Sequence, residues 1–215
     1  TAYTYRYKDL QVSTFDPVQV INTVLNAASA RIKGIEAEAH WNTPVEGLEL
    51  RGSVNYNHAR YTEFLAGCYT GQTVAEGCSV NPGPTGAFRQ QDLGGRPLTL
   101  APDWTASAGA SFERPIADGF RLGLTGDTQY SSGFWSQLEE APLGHQKSFW
   151  MFNASARLEM NDDRYEVALI GRNLSNVYRS RFVSQVPLTG IAARTGTTTP
   201  GGLSDISGLV NRGRE

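Results

Sequence analysis

The stretch LELRGSVNYN, residues 48–57, sets Leu48, Leu50, Val54 and Tyr56 at alternate positions, with Glu49, Arg51, Ser53, Asn55 and Asn57 between them. Successive side chains of a β-strand point to opposite faces, so this segment has one apolar wall and one polar wall; wound as a helix, the same residues would mix on every face. Working outward from it, the design repeats. Trp104, Ala106, Ala108, Ala110 and Phe112 oppose Thr105, Ser107, Gly109, Ser111 and Glu113, and Phe120, Leu122, Leu124 and Tyr130 oppose Arg121, Thr125, Asp127 and Gln129. Trp150, Phe152, Ala154, Ala156, Leu158 and Met160 oppose Asn153, Ser155, Arg157 and Glu159, while Tyr165, Val167 and Leu169 oppose Glu166 and Arg172.

Toward the N terminus the alternation slips twice. Tyr3, Tyr5 and Tyr7 give way to Leu10 and Val12, and Ala28, Ala30 and Ile32 give way to Ile35, Ala37, Ala39 and Trp41 after Gly34. A one-residue slip turns every later side chain to the other face, so each shift predicts a β-bulge, the second at Gly34. Seven strands are expected, at 2–15, 27–42, 48–62, 103–113, 119–134, 148–160 and 164–175, with Arg212 to Glu215 beginning an eighth.

Nineteen Lys and Arg stand against 21 Asp and Glu, a net charge of −2 that leaves no basic footprint for nucleic acid. No apolar run approaches the roughly 18 residues of a membrane-crossing helix, whereas a membrane β-barrel needs only about 9–11 alternating residues per strand. The connections discriminate further. Short ones (Thr43 to Gly47, Arg114 to Gly119, Asn161 to Asp163) alternate with long ones (Leu65 to Pro102, Trp135 to Lys147, Tyr178 to Asn211). Bacterial outer-membrane barrels segregate tight periplasmic turns from long extracellular loops in this way. Trp41, Trp104, Phe112, Phe120, Tyr130, Trp150 and Tyr165 sit near strand ends, where two interfacial aromatic girdles would lie.

Four segments carry a resemblance. LNAASARIKGIEAEAHW (Leu25 to Trp41), LTLAPDWTASAGASF (Leu98 to Phe112), YEVALIGRNLSNVYRSRF (Tyr165 to Phe182) and NRGRE (Asn211 to Glu215) together resemble, in order and spacing, the C-terminal half of the TonB-dependent receptor barrel. The resemblance implies an all-β, antiparallel up-and-down segment of a twenty-two-stranded transmembrane barrel in the bacterial outer membrane. It implies active uptake of a scarce nutrient such as siderophore-bound iron, cobalamin or a glycan, energised by TonB through an N-terminal part that holds a plug. Residues 1–215 are then expected to be a C-terminal portion of that barrel, with the plug and the final strand absent. A small structural or adhesive outer-membrane barrel is a second reading. A soluble carbohydrate-binding β-domain, stacking sugars on Tyr69, Phe88, Phe134 and Trp135, is a third.

Charged groups near a bilayer midplane cost about 2–4 kcal/mol each, so the alternating charges are expected to face the barrel lumen. They are Arg6, Lys8, Glu36, Glu38, Glu49, Arg51, Glu113, Arg121, Asp127, Arg157, Glu159, Glu166 and Arg172. Ligand contacts are expected instead at the long-loop ends, from Phe134, Trp135, Tyr178, Arg179, Arg181 and Phe182, where flat faces and guanidinium forks suit anionic chelates or sugars. The alternative gives Phe134 and Trp135 to the aromatic girdle and Arg179 and Arg181 to lipopolysaccharide phosphates. Cys68 and Cys78 suit a disulfide within one extracellular loop, or two reduced surface thiols. Asn173 is expected to serve the strand end, and Gln90, Gln91, Asp92, Glu139 and Glu140 to be solvated. No hydrolase, phosphate-loop or metal motif is present, His40, His58 and His145 fall in separate segments, and neither catalysis nor a cofactor is expected.

Overall fold

The computed structural model describes all residues except 17–20, 84–85, 87, 162–163, 187–188, 190–201, 204, 212 and 214–215. The strands are β1 (Ala2–Asp16), β2 (Ile21–Asn42), β3 (Leu48–Glu63), β4 (Leu65–Gly67), β5 (Val80–Pro82), β6 (Phe88–Asp92) and β7 (Trp104–Ala117). They continue as β8 (Phe120–Ser131), β9 (Phe134–Trp135), β10 (His145–Gln146), β11 (Phe149–Met160), β12 (Tyr165–Gly171), β13 (Ser180–Gln185) and β14 (Ile206–Val210). Seven of them form one antiparallel sheet in the order β1-β2-β3-β7-β8-β11-β12, each long strand beside the next in sequence. This is the expected up-and-down architecture. The seven short strands were not anticipated: β4, β6 and β5 form a sheet inside the first long loop, and β9/β10 and β13/β14 are hairpins in the other two. β2 begins earlier than expected and β12 ends earlier. Of the expected eighth strand, Arg212, Arg214 and Glu215 lie outside the described residues, as do Asp162 and Asp163.

Register places the alternating residues on two distinct faces. Trp41, Leu50 and Ala110 share a row, as do Phe112 and Leu124, and Leu124 pairs with Ala156 and Ala156 with Leu169. This face is apolar and unpartnered: Leu169 is 77% exposed, Trp41 58% and Phe152 45%. Aromatics close it at both ends. Tyr56 packs on Trp104 at 4.7 Å and Tyr130 on Trp150 at 4.9 Å on the long-loop side, and Trp41, Phe112, Phe120 and Tyr165 lie toward the short turns. The opposite face is knitted by polar contacts. Ser53 meets Ser107 at 2.8 Å, Thr125 meets Ser155 at 2.7 Å, and Asn153 donates to Asp127 at 2.6 Å. Arg121 lies between Glu113 and Glu159, and Arg157 between Glu159 and Glu166.

The bulge expected at Gly34 is absent. Gly34 stands in regular register with Tyr3 on one side and Asn57 on the other. Its missing Cβ lets the Tyr3 ring cross β2, so that the phenol oxygen lies 3.2 Å from the Oδ1 of both Asn55 and Asn57. The other expected irregularity is present, between Tyr7 and Leu10. The apparent slip at Gly34 is a change of surroundings along a continuous strand. Up to the row of Ala2, Ile35 and Tyr56 the outer face is apolar. Beyond it that face carries Thr4, Lys33 and His58, then Arg6, Arg31 and Arg60, while Ala28, Ala30, Ala59 and Tyr61 pack on the inner side. Arg6 and Lys8 therefore do not belong to the polar inner wall; by strand parity they stand on the outer face, above its apolar band.

The inner apolar residues at this end form a small core. Ala28, Ala30, Tyr61, Phe64, Ala66 and Leu93 are buried together, with Leu10, Val12, Leu98 and Leu138 against them. The first long loop folds down onto β3 through Tyr61 N to Arg96 O, Leu98 N to Ala59 O and a two-pronged Arg60–Asp103 pair with both contacts at 2.8 Å. Two loop residues expected to be solvated, Gln91 and Glu140, are buried beneath the folded loops. Gln91 donates to the Gly67 and Glu139 carbonyls, and Glu140 accepts from Arg96 Nε at 2.7 Å.

Candidate functional site

The long-loop end of the polar face opens into a cavity of about 440 Å³, within the range of small-ligand sites. Its floor comes from strand positions whose parity turns them to that face: Ser53 on β3, Thr105 and Ser107 on β7, and Gln129 and Ser131 on β8. Phe149 of β11 and Phe134 of β9 add aromatic wall.

The wall is built by the way β8 ends. Ser132 closes the ladder, its N–H donating to the Trp104 carbonyl at 2.8 Å and its Oγ accepting from the Trp104 N–H at 3.0 Å. The chain then enters β9, where adjacent residues face opposite sides. Phe134 is buried against the cavity, and Trp135 packs instead on His145 with ring centres 4.7 Å apart. The Trp135 carbonyl accepts from Leu100 N–H at 2.8 Å, tying in the end of the first loop.

The third long loop supplies the charge. After β12, Asn173 adopts φ 49° and its side chain closes a turn, Oδ1 accepting from Val177 N–H at 3.0 Å and Nδ2 donating to the Val177 carbonyl at 2.9 Å. Beyond it, Gln146 Oε1 accepts from Ser180 N–H at 2.9 Å, and Asn211 Oδ1 accepts from Arg179 N–H. These bonds hold Arg179 and Arg181 against the cavity. Arg181 is the extra residue of a β-bulge, since Ser180 pairs with Val210 and Phe182 with Leu209, and bulges commonly re-aim side chains beside sites. Neither arginine has an ion-pair partner among the described residues.

Of the six ligand candidates read from sequence, the structure brings Phe134, Arg179 and Arg181 together. Trp135 lies outside the cavity, Tyr178 lies beside Gly213, and Phe182 is exposed on β13. Sequence reasoning missed the floor residues Ser53, Thr105, Ser107, Gln129 and Ser131. Their signal was legible as polar-wall positions nearest the long loops. Cys68 and Cys78 are joined by a disulfide within the first loop. Of the four aromatics read as an exposed sugar-stacking set, Tyr69 and Phe134 are buried and Trp135 is half-buried, while the Phe88 side chain lies outside the described residues. Among the described residues no group of three or more His, Cys, Asp and Glu could hold a metal ion. The cavity can therefore offer two guanidinium forks without ion-pair partners among the described residues, aromatic walls and a hydroxyl- and amide-lined floor, a set suited to a compact anionic ligand.

Glu140 lies beneath the loops at the same end. Burial pushes its carboxyl above the ordinary carboxylate value, and Arg96 pulls back against that shift.

Comparison with known proteins agrees with this architecture. The family described as TonB dependent receptor-like, beta-barrel matches residues 1–174. No curated protein matches the sequence. Among solved structures, the ferric yersiniabactin uptake receptor FyuA from Yersinia pestis is similar over 99% of this chain and 25% of its own, with TM-score 0.63 and 15% identity. BauA, the ferric preacinetobactin receptor from Acinetobacter baumannii, is similar over 100% and 26%, with TM-score 0.51 and 17% identity. The siderophore receptor PiuA from Acinetobacter baumannii is similar over 98% and 24%, with TM-score 0.55 and 13% identity. The chain thus spans about a quarter of the length of these structures.

Proposed function

This chain belongs to the TonB-dependent receptor β-barrel family, and from that premise we propose that it forms part of the wall of an outer-membrane uptake receptor whose ligand is a ferric siderophore. The observation that carries the membrane reading is the unpartnered apolar face closed by aromatics at both ends. Tyr130 and Phe120, both on the outer face of β8, are ten residues apart. At about 3.4 Å per residue and a tilt of about 45°, that separation spans roughly 24 Å in height, against an apolar band of about 25 Å for outer-membrane barrels. A soluble protein rarely leaves so large an apolar surface bare.

Support for the ligand class comes from the three similar structures, described as a ferric yersiniabactin uptake receptor, a ferric preacinetobactin receptor and a siderophore receptor, and from Arg179 and Arg181, without ion-pair partners among the described residues, over an aromatic-walled cavity. Cobalamin and glycans lack the dense negative charge that two guanidiniums recognise best. Energy for uptake would come from TonB, a separate protein, and reach the bound ligand through a plug contributed by another part of the receptor.

Titration of the full-length receptor with ferric catecholate, hydroxamate and carboxylate chelates, cobalamin and oligosaccharides tests the reading. A ferric chelate should bind best. Replacing Arg179 and Arg181 by alanine should weaken it on the order of tenfold or more, since a hydrogen bond to a charged group contributes about 1.5–3 kcal/mol. Unchanged affinity in that variant, or preference for cobalamin or a glycan, overturns it.

A further inference from the structure

The first three strands carry a basic patch on the wrong side for a lumen ligand. Arg6 pairs directly with Arg31 across β1 and β2, and Arg31 directly with Arg60 across β2 and β3. Lys33 precedes this row on the same face, and Lys8 follows Arg6. Arg60 is committed to Asp103, but Arg6, Lys8, Arg31 and Lys33 are exposed and have no ion-pair partner among the described residues. With strands about 4.8 Å apart and same-face rows about 7 Å apart, these four cations fall within a patch of roughly 5 by 14 Å. Like charges directly opposed across strands are destabilising. A concavity of about 460 Å³ opens among Arg6, Lys8, Arg31 and Ser29, with the carboxylates of Asp9 and Glu63 also in its wall.

Position identifies the counter-ion. The patch begins one row above Ile35 and Tyr56, the last apolar row of the outer face, and Tyr56 belongs to the aromatic pair with Trp104. If the apolar band faces acyl chains, the next few ångströms above it are where lipid headgroup phosphates lie. We propose that Arg6, Lys8, Arg31 and Lys33 bind the phosphate groups of lipopolysaccharide in the outer leaflet, anchoring this sector of the barrel and relieving the repulsion within the arginine row. Guanidinium forks take phosphate oxygens in pairs, and the lysine stems reach along the surface to neighbouring phosphates. The assignment rests on the membrane reading of the apolar face and is independent of the ligand cavity, which opens on the opposite face.

The test uses the full-length receptor in phospholipid nanodiscs, titrated with fluorescent lipopolysaccharide carrying both lipid A phosphates, with the same lipid after phosphate removal, and with inorganic phosphate as competitor. The intact lipid should bind the wild type best. At low ionic strength the R6Q/K8Q/R31Q variant should lose roughly fivefold per cation, on the order of a hundredfold in all. Phosphate removal should cause a comparable loss in the wild type, an arm that needs no variant to fold. Equal binding by the variant, equal binding of the dephosphorylated lipid, or full competition by inorganic phosphate overturns the proposal, the last by making this a free-phosphate site. Quenching of Trp104 and Trp150 by brominated phospholipid in discs without lipopolysaccharide checks the membrane reading alone. If quenching is present and phosphate dependence absent, only the lipid site fails; if quenching is absent, both fail.

Discussion

Replacing Gly34 by alanine should loosen the β1–β2–β3 end of the sheet by about 2 kcal/mol. A Cβ at this position would lie 2.6 Å from the Tyr3 Cζ and closer still to the Tyr3 hydroxyl and the Tyr56 carbonyl oxygen. The tyrosine ring could swing away, but the carbonyl is backbone, so the strands must separate. Forcing an extra methyl into such a contact costs about 1–3 kcal/mol, and displacing Tyr3 from Asn55 and Asn57 forfeits a hydrogen bond of about 1 kcal/mol. Against this stands about 0.5–1 kcal/mol gained from the lower backbone entropy of alanine in the unfolded chain. Gly126 is the internal control, because a Cβ there meets nothing within 4 Å. Urea unfolding of the full-length receptor in detergent, followed by tryptophan fluorescence, should show a lowered midpoint for Gly34→Ala and an unchanged or raised one for Gly126→Ala. Adding Tyr3→Ala to Gly34→Ala should recover part of the loss. If the two glycine variants behave alike, the argument that Tyr3 needs a bare Cα beneath it is wrong.

Spin labels at Leu50, Ala108, Leu124 and Ala156 should be accessible to lipid-soluble oxygen, and labels at Ser53, Ser107 and Ser155 to a polar quencher; the reverse pattern would turn the sheet inside out. Mass spectrometry of the unreduced protein should find no free thiol. Serine at both Cys68 and Cys78 should raise hydrogen exchange in the first loop without altering the sheet, since closing so short a loop contributes about 3 kcal/mol in the chain-entropy picture. The folded-state pKa of Glu140 lies above its ordinary value, so its contribution to loop packing is complete in acid and is lost as pH rises through that folded value. Exchange protection of residues 91–98, corrected for intrinsic rates, should therefore fall as pH rises in the wild type and stay level in Glu140→Gln. A level profile in both proteins counts against the burial argument.

The site was legible in part because one rule serves both faces. Parity along β7 and β8 marks Ser107 and Gln129 as polar-wall residues, and proximity to the long loops marks them as mouth residues. The same rule could not separate Phe134 from Trp135 or Arg181 from Phe182. Those choices depend on a two-residue strand and a β-bulge, which exist only because β10 and β14 pair with them.

Alternation by itself determined that the chain is all-β, with one apolar and one polar wall, because a period of two survives whatever the strands pack against. It also located the turns, since short connections between such strands leave little freedom. Tertiary structure alone decided which residues share a level and what surrounds each level. The exchange of polarity past Ile35 and Tyr56 reads in one dimension as a slip at Gly34. In three dimensions the strand runs straight on, and its outer side passes from an apolar band to a basic one while its inner side meets the folded loops. Burial of Glu140, Gln91 and Tyr69, and the outward stance of Arg6 and Lys8, follow from that change of surroundings, which no single strand encodes.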